Sequence, residues 1–126
     1  MTGWHVSIYR QADEHAAMPA TAESPKGTRL AVWQTGDDGL KWLDGLVKAG
    51  EALSLGGDGY PYRYTATAGI LVPRVLDGPP EGRRCWVYGE HDILGGKWAG
   101  KTVVDQASAA ACRSDEWLLI EAWDES

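Results

Sequence analysis

Alternating apolar and polar residues predict most of the strands in this chain. Near its start, Trp4, Val6 and Ile8 alternate with more polar positions, which is typical of a strand with one buried face. Comparable patterns predict strands over residues 4–10, 28–35, 52–55, 60–66 and 117–123. The last of these is apolar on both faces, which favours a central position in a sheet.

One segment, residues 38–49, has a clear helical pattern. Its apolar residues recur at helical spacing: Leu40, Leu43, Leu46 and Val47. Asp37 or Asp38 is the predicted N-cap, and Gly50 stands where a left-handed residue would end the helix. Trp42 lies at the margin of the apolar face and is expected to be half exposed. A second apolar segment, residues 68–76, contains Pro73 and is therefore either a short kinked helix or irregular.

The order of these elements predicts an α+β fold. Neighbouring strands often lack an intervening helix, which favours a mostly antiparallel or mixed sheet of about five strands with two or three helices packed on it. At 126 residues, the chain is expected to form a single globular domain over residues 1–126. Residues 11–27 form a long connection, and such connections in compact domains are often functional or mobile.

The sharpest chemical motif is a glycine-rich loop at residues 95–102. Its sequence, Gly-Gly-Lys-Trp-Ala-Gly-Lys-Thr, matches the phosphate-binding pattern G-x-x-x-x-G-K-[ST]. In a working loop, backbone N–H groups and Lys101 would bind the phosphate, and Trp98 would offer a stacking surface. The candidate ligand-binding residues are Gly95, Gly96, Trp98, Gly100, Lys101, Thr102 and His91.

The context of this loop favours a structural role. Only 24 residues follow Thr102, which leaves little chain to supply the acidic Mg²⁺ ligand of a nucleoside triphosphatase. Thr102 and Asp105 have the spacing of a capping box, and an apolar stripe follows them, so a helix is expected to begin at Thr102. The loop is therefore interpreted as a helix cap, with phosphate binding as the alternative.

Charge and composition argue against several classes of function. Eighteen acidic and twelve basic residues give a net charge of −6, which disfavours binding to nucleic acid or to a membrane surface. The absence of a long apolar span and of a secretory signal pattern predicts a soluble, cytoplasmic protein. Seven tryptophans with no phenylalanine or asparagine indicate a GC-rich bacterial genome. No cofactor and no metal site is predicted.

Ionisable residues supply few catalytic candidates. Cys85 and Cys112 are too few for a disulfide framework or a zinc site, and are interpreted as small buried apolar residues. Residues 90–92, Glu-His-Asp, are interpreted as a solvated turn. Glu121 lies among apolar residues and is expected to be paired, for example with an arginine, or to lie at a sheet edge. Buried without a partner, it would be the best single catalytic candidate.

Aromatic residues supply the remaining binding candidates. Tyr60, Tyr62 and Tyr64 fall on one side of a predicted strand. There they would either pack across the sheet, which we favour, or line a groove for a planar or sugar ligand. Together with Trp42, they are the candidate partner-binding residues.

We therefore expect a non-enzymatic module that binds a protein. The acidic charge favours a basic partner, and exposed aromatic residues would supply the main contacts. In size, charge and mixed α+β character, the chain resembles the small bacterial immunity and antitoxin-type proteins that neutralise toxins. The alternatives are a phosphate- or nucleotide-binding domain or enzyme that uses residues 95–102, and a structural or accessory subunit.

Overall fold

A single sheet forms the framework of the protein. The computed structural model describes residues 3–21, 23–36, 39–57, 61–75, 83–84 and 98–124. The strands in these residues are β1 (Trp4–Gln11), β2 (Lys26–Thr35), β3 (Leu53–Gly56), β4 (Tyr62–Thr67), β5 (Arg83–Arg84), β6 (Trp98–Val104) and β7 (Trp117–Asp124). Their order in the sheet is β3-β4-β7-β1-β2-β6-β5. All neighbouring pairs are antiparallel except β5 and β6, which are parallel.

Three helices accompany the sheet in the described residues. They are α1 (Lys41–Lys48), α2 (Ala68–Val75) and α3 (Gln106–Ala111). The predicted α+β class is confirmed, although six antiparallel strands and the short β5 replace the expected five or so. β7 lies between β4 and β1, as its two apolar faces predicted. No helix in this part of the chain is long and apolar enough to cross a membrane.

The two faces of the sheet carry different residues. Strand registers place Val6, Trp33, Ile120 and Tyr64 on one face, which we call the helix face because apolar residues of α1 and α2 join the same core. The helical residues in this core include Leu43, Leu46, Leu71 and Val75. Since successive side chains alternate along a strand, their neighbours lie on the opposite face. These include Ser7, Thr65, Leu119 and Glu121.

The long connection between β1 and β2 is bonded to the opposite face. The Ala20 N–H donates to the Thr65 hydroxyl over 3.0 Å, and that hydroxyl donates to the Leu118 carbonyl over 2.7 Å. The Gln11 side chain also donates to the Met18 carbonyl over 2.8 Å. These bonds make the connection a structural cover for the sheet.

The two ends of α1 agree to different degrees with the ends predicted from the sequence. The helix is shorter than the predicted 38–49, with Leu40 at the N-cap, and the predicted caps Asp37 and Asp38 lie outside the described residues. Its C-terminus is as predicted, because Gly50 has a φ of 77° and donates its N–H to the Val47 carbonyl. A second bond, from the Glu51 N–H to the Leu46 carbonyl, completes a Schellman motif.

The apolar segment around Pro73 is helical. α2 continues through Pro73, which answers the alternative that its sequence left open. The first N–H groups of α2 have partners outside the helix, since Ala68 donates to the Glu116 carbonyl and Gly69 donates to the Ser114 carbonyl. These bonds fix the start of the helix on the segment that leads into β7.

Candidate functional site

An open groove lies between α1 and the β3–β4 end of the sheet. Its volume is about 730 Å³. The lining residues come from α1, from the end of β3 and from the helix face of the sheet: Leu40, Lys41, Asp44, Val47, Lys48, Ser54, Gly56, Gly57, Trp4, Tyr62 and Tyr64. We call it the aromatic groove, because three aromatic rings form part of its wall. It has the size range of ligand and peptide sites in proteins.

Strand order brings these aromatic residues together. Trp4 on β1 and Tyr62 on β4 lie on either side of β7, and their ring centroids are 5.5 Å apart at an interplanar angle of 42°. Tyr62 pairs with Ala122 of the intervening β7. The small alanine leaves space for the two large rings to meet above it. Such tilted ring pairs contribute stability beyond the area that they bury.

Tyr64 lies deeper in the same groove. It is buried, and its burial raises the pKa of its hydroxyl to about 12, with smaller contributions from the negative charge of Asp44 and from Tyr62. Its hydroxyl forms no hydrogen bond within the described part of the chain. Tyr64 therefore stays neutral at physiological pH, and its hydroxyl has no hydrogen-bond partner among the described residues.

Asp44 is the acidic residue of the groove. It lies on α1 and is exposed, and its carboxylate forms no ion pair or hydrogen bond with another described residue. Lys41 and Lys48 line the groove three positions before and four positions after it. Positions three and four apart on a helix lie on the same side, so the α1 wall carries charges in the order plus, minus, plus.

The groove adjoins an open strand edge. β3 is the last strand on this side of the sheet among the described residues, so it uses only one of its two edges. Leu53 on this strand is 46% exposed. Gly56 and Gly57 end the strand with φ values of 86° and 118°, which favour glycine. No atom lies within 4 Å of the place where a Cβ of Gly56 would be, so another backbone can approach the edge there. A Cβ at Gly57 would instead collide with the Pro61 carbonyl of the same chain.

The structure places the predicted partner-binding residues in different environments. Tyr62 and Tyr64 both pack across strands and line the groove, so the two alternatives for them coexist, while Tyr60 lies outside the described residues. Trp42 is only 8% exposed, so the expectation of half exposure is wrong. Its ring packs against Trp33 of β2 at 6.2 Å, and its indole N–H has no hydrogen-bond partner among the described residues. The pairing of these two large rings draws Trp42 into the core.

The end of the glycine-rich motif forms a strand. Residues 98–104 belong to β6 and pair with β2, with Gly100 opposite Gln34. The expectation that a helix begins at Thr102 is therefore wrong. Val103 and Val104 suit either pattern, but β-branched residues pair well in a sheet, and here they pair with Val32 and Ala31.

The helix after the motif starts later and has another cap. Asp105 is the N-cap of α3, and its carboxylate accepts the Ser108 N–H over 3.0 Å and the Ser108 hydroxyl over 2.8 Å. These bonds lower the pKa of Asp105. A phosphate loop would need its helix to begin at Lys101 and Thr102, where this chain is extended. Gly95, Gly96 and His91 lie outside the described residues, so phosphate binding by the motif stays an untested alternative.

Glu121 is buried and paired. It is 1% exposed and lies on the opposite face of the sheet. Arg63 donates to one of its oxygens over 3.0 Å, and Lys26 contacts the other over 2.8 Å, with its ammonium group 5.3 Å from the centre of the Tyr9 ring. We call these four residues the Glu121 cluster. The predicted pairing with an arginine is confirmed, and the condition that would have made Glu121 a catalytic candidate is not met.

A second buried carboxylate is paired in the same way. Glu116 accepts two hydrogen bonds from Arg10, over 3.1 and 3.0 Å, and one from the Arg113 N–H over 2.9 Å. Cys112 lies nearby, and burial, together with the negative charge of Glu116, raises the pKa of its thiol. A raised pKa disfavours the reactive thiolate. Cys85 lies outside the described residues.

No metal centre is found in the described residues, because no three His, Cys, Asp or Glu side chains come together there. The structure does not bring the two predicted site sets together either. β6, which carries Lys101 and Thr102, lies near one end of the sheet, and the aromatic groove lies at the other.

Sequence reasoning missed several residues of the groove. Trp4 was recognised only as part of the apolar face of a strand, and Asp44 only as part of a helix. The charges at Lys41, Asp44 and Lys48 follow a helical spacing that could have identified them as one face. Nothing in the sequence indicates that this face meets β4, because that contact depends on the strand order.

Comparisons with known proteins give no assignment. No family model matches the chain, and no curated protein or solved structure is significantly similar to it. The functional argument therefore depends on the geometry of the groove and of the strand edge.

Proposed function

We propose that this protein is a non-enzymatic protein-binding module that holds an extended segment of its partner along β3, with side chains of that segment in the aromatic groove. The observation that carries the proposal is the position of an open, apolar strand edge next to a groove lined by Trp4, Tyr62 and Tyr64. Addition of a strand to a sheet edge is a common way to bind peptides.

The sequence of β3 supports this use. Proteins usually protect an edge strand from unwanted pairing with a charged residue or a proline. β3 reads Leu-Ser-Leu-Gly and carries neither. The exposed Leu53 would be covered by a bound segment, and Gly56 leaves space for the backbone of that segment. β3 has four residues and an irregular register between Ser54 and Gly56, so its open edge can pair with a short segment only.

The residues of the aromatic groove also support the proposal that the protein binds a segment of a partner. Aromatic side chains are over-represented among the residues that contribute most to protein interfaces. Tyr62 and Tyr64 also offer hydroxyl groups that make no hydrogen bond within the described chain. Elsewhere, the buried carboxylates Glu116 and Glu121 are held by cations, which is the pattern of structural charges.

A displayed library of random dodecapeptides tests the proposal. Peptides that bind the protein are selected, synthesised and titrated against wild type and two variants. Leu53→Lys places a charge on the open edge, and Val103→Lys places the same charge at another exposed strand position, 62% exposed on β6. We expect Leu53→Lys to weaken binding about tenfold or more, a loss of roughly 1.4 kcal/mol, and Val103→Lys to leave the affinity nearly unchanged.

Two results would contradict this proposal. One is the failure of the library to yield any peptide that binds wild type. The other is a set of peptides whose affinities respond equally to Leu53→Lys and Val103→Lys. Methylation of alternate backbone nitrogens in a selected peptide adds a check on strand addition, because it removes donors without changing side chains. Binding that tolerates methylation at every position would argue against pairing with β3.

A further inference from the structure

We infer that the aromatic groove selects a segment with one basic side chain, placed over Asp44 and followed at the next alternate position by a neutral or acidic residue. This inference depends on the proposed function and names the chemistry of the partner. It follows from the polar groups that line the groove and have no partner within the described chain.

The acceptor for the basic group is Asp44. Its carboxylate is exposed, lines the groove and forms no ion pair in the described part of the chain. Its charge reaches the groove interior, since it contributes to the raised pKa of Tyr64. By contrast, the exposed acids Glu51 and Asp115 each lie 3.8 Å from an arginine, Arg74 and Arg113 respectively.

The aromatic wall favours a cation at the same place. Trp4 and Tyr62 line the groove with Asp44, and the faces of such rings attract ammonium and guanidinium groups. A basic side chain also has a long apolar stem that can lie along the rings. The overall charge of −6 would attract a basic segment at long range.

Lys48 limits the segment to one basic residue near Asp44. Lys48 follows Asp44 by four positions, which is a rise of about 6 Å along α1. Side chains two positions apart on an extended segment are about 6.6 Å apart, so a segment that runs along α1 with its basic residue over Asp44 would place an alternate neighbour near Lys48. Lys48 is exposed and has no ion pair among the described residues. A second cation there would be repelled, whereas an acidic residue would be attracted.

A charge exchange tests the inference with the peptides selected above. We expect them to contain one Arg or Lys without another basic residue two positions away. Replacement of that residue by Ala should weaken binding to wild type about tenfold, but should have little effect on binding to Asp44→Asn, because the two changes remove the same interaction. The variant Asp44→Lys should bind the original peptide more weakly than wild type does. It should bind a peptide with Glu in place of the basic residue more tightly than it binds the original peptide.

The control is Asp115→Asn, which neutralises another exposed acid whose side chain is 85% exposed and lies on the segment before β7. It should leave every peptide affinity nearly unchanged. If the peptides depend on Leu53 but lack a basic residue, or show no coupling to Asp44, the inference falls and the proposed function stands. If the peptide affinities depend on neither Leu53 nor Asp44, both the inference and the proposed function are wrong.

Discussion

The aromatic groove and the Glu121 cluster both combine charged, phenolic and apolar groups, but they differ in how the polar groups are bonded. In the Glu121 cluster, Arg63 and Lys26 each contact one oxygen of a buried carboxylate. In the groove, Asp44 and the hydroxyls of Tyr62 and Tyr64 form no hydrogen bonds or ion pairs within the described chain.

The contrast separates groups that stabilise the fold from groups that are free to bind something else. A buried charge must be paired within the protein, because its removal from water is costly. An exposed group beside a groove has no such requirement, so its lack of a partner is compatible with a stable fold. Changes in the Glu121 cluster should therefore affect folding, and changes at Asp44 should affect binding.

The largest effect is expected when the Glu121 carboxylate loses both cations. The double variant Lys26→Met, Arg63→Met would leave a charge buried without a partner, at a cost of about 3–5 kcal/mol in the free energy of unfolding. Urea unfolding followed by tryptophan fluorescence measures this loss. Adding Glu121→Met should restore much of it. A loss below about 1 kcal/mol in the double variant would show that the cluster does not support the fold.

Tyr64 gives the next largest effect, and it depends on pH. Its pKa is raised to about 12, so the folded state favours the neutral phenol. The resulting stability is fully present below the ordinary value of 10 and is lost as pH rises toward 12. Between these limits, wild type should lose on the order of 2 kcal/mol more than Tyr64→Phe. Equal losses of unfolding free energy for the two proteins would contradict the burial of this hydroxyl.

A smaller loss of stability is expected when Asp105, an exposed acid with hydrogen bonds to Ser108, is replaced. Asp105→Ala removes the N-cap of α3 and should lower the midpoint of thermal unfolding by a few degrees. Because Ser108 lowers the pKa of Asp105, the cap's contribution is present above pH 3.8 and is lost as pH falls through the lower folded value. Thermal unfolding at pH 7 and at pH 2 should therefore differ more in wild type than in Asp105→Ala. A variant with the wild-type midpoint at pH 7 would argue against the cap.

The smallest effect on stability is expected at Asp44. Asp44→Asn should change the free energy of unfolding by less than about 0.5 kcal/mol, because surface groups without partners contribute little. Its unfolding curve can be measured beside that of Asp105→Ala, which changes an exposed acid that does have partners. A loss above about 1 kcal/mol at Asp44 would mean that the groove, like the Glu121 cluster, serves the fold.

Local features of the fold were predictable from local sequence. The alternation from Trp4 to Ile8 identified β1, and the apolar spacing with Gly50 identified α1 and its end. The pairing of Glu121 could also be predicted, because a buried carboxylate requires a cation. Which cation serves depends on the strand register that places Arg63 opposite Glu121, and this register is a non-local property.

The remaining features required tertiary information. Val103 and Val104 fit both a helix stripe and a strand, and only their pairing with β2 decides between the two. The helical pattern placed Trp42 at the margin of the apolar face, because that pattern does not show its contact with Trp33 of β2. The aromatic groove combines residues of β1, β4 and α1, so its existence depends on the order β4-β7-β1 and not on any single segment.

Amide hydrogen exchange at residues 53–57, with and without a selected peptide at saturating concentration, tests the central claim most directly. If the segment pairs with the open edge of β3, exchange of the outward-facing amides there should slow by about tenfold or more, while exchange in β6 stays unchanged. Unchanged exchange across residues 53–57 in the saturated complex would contradict the account.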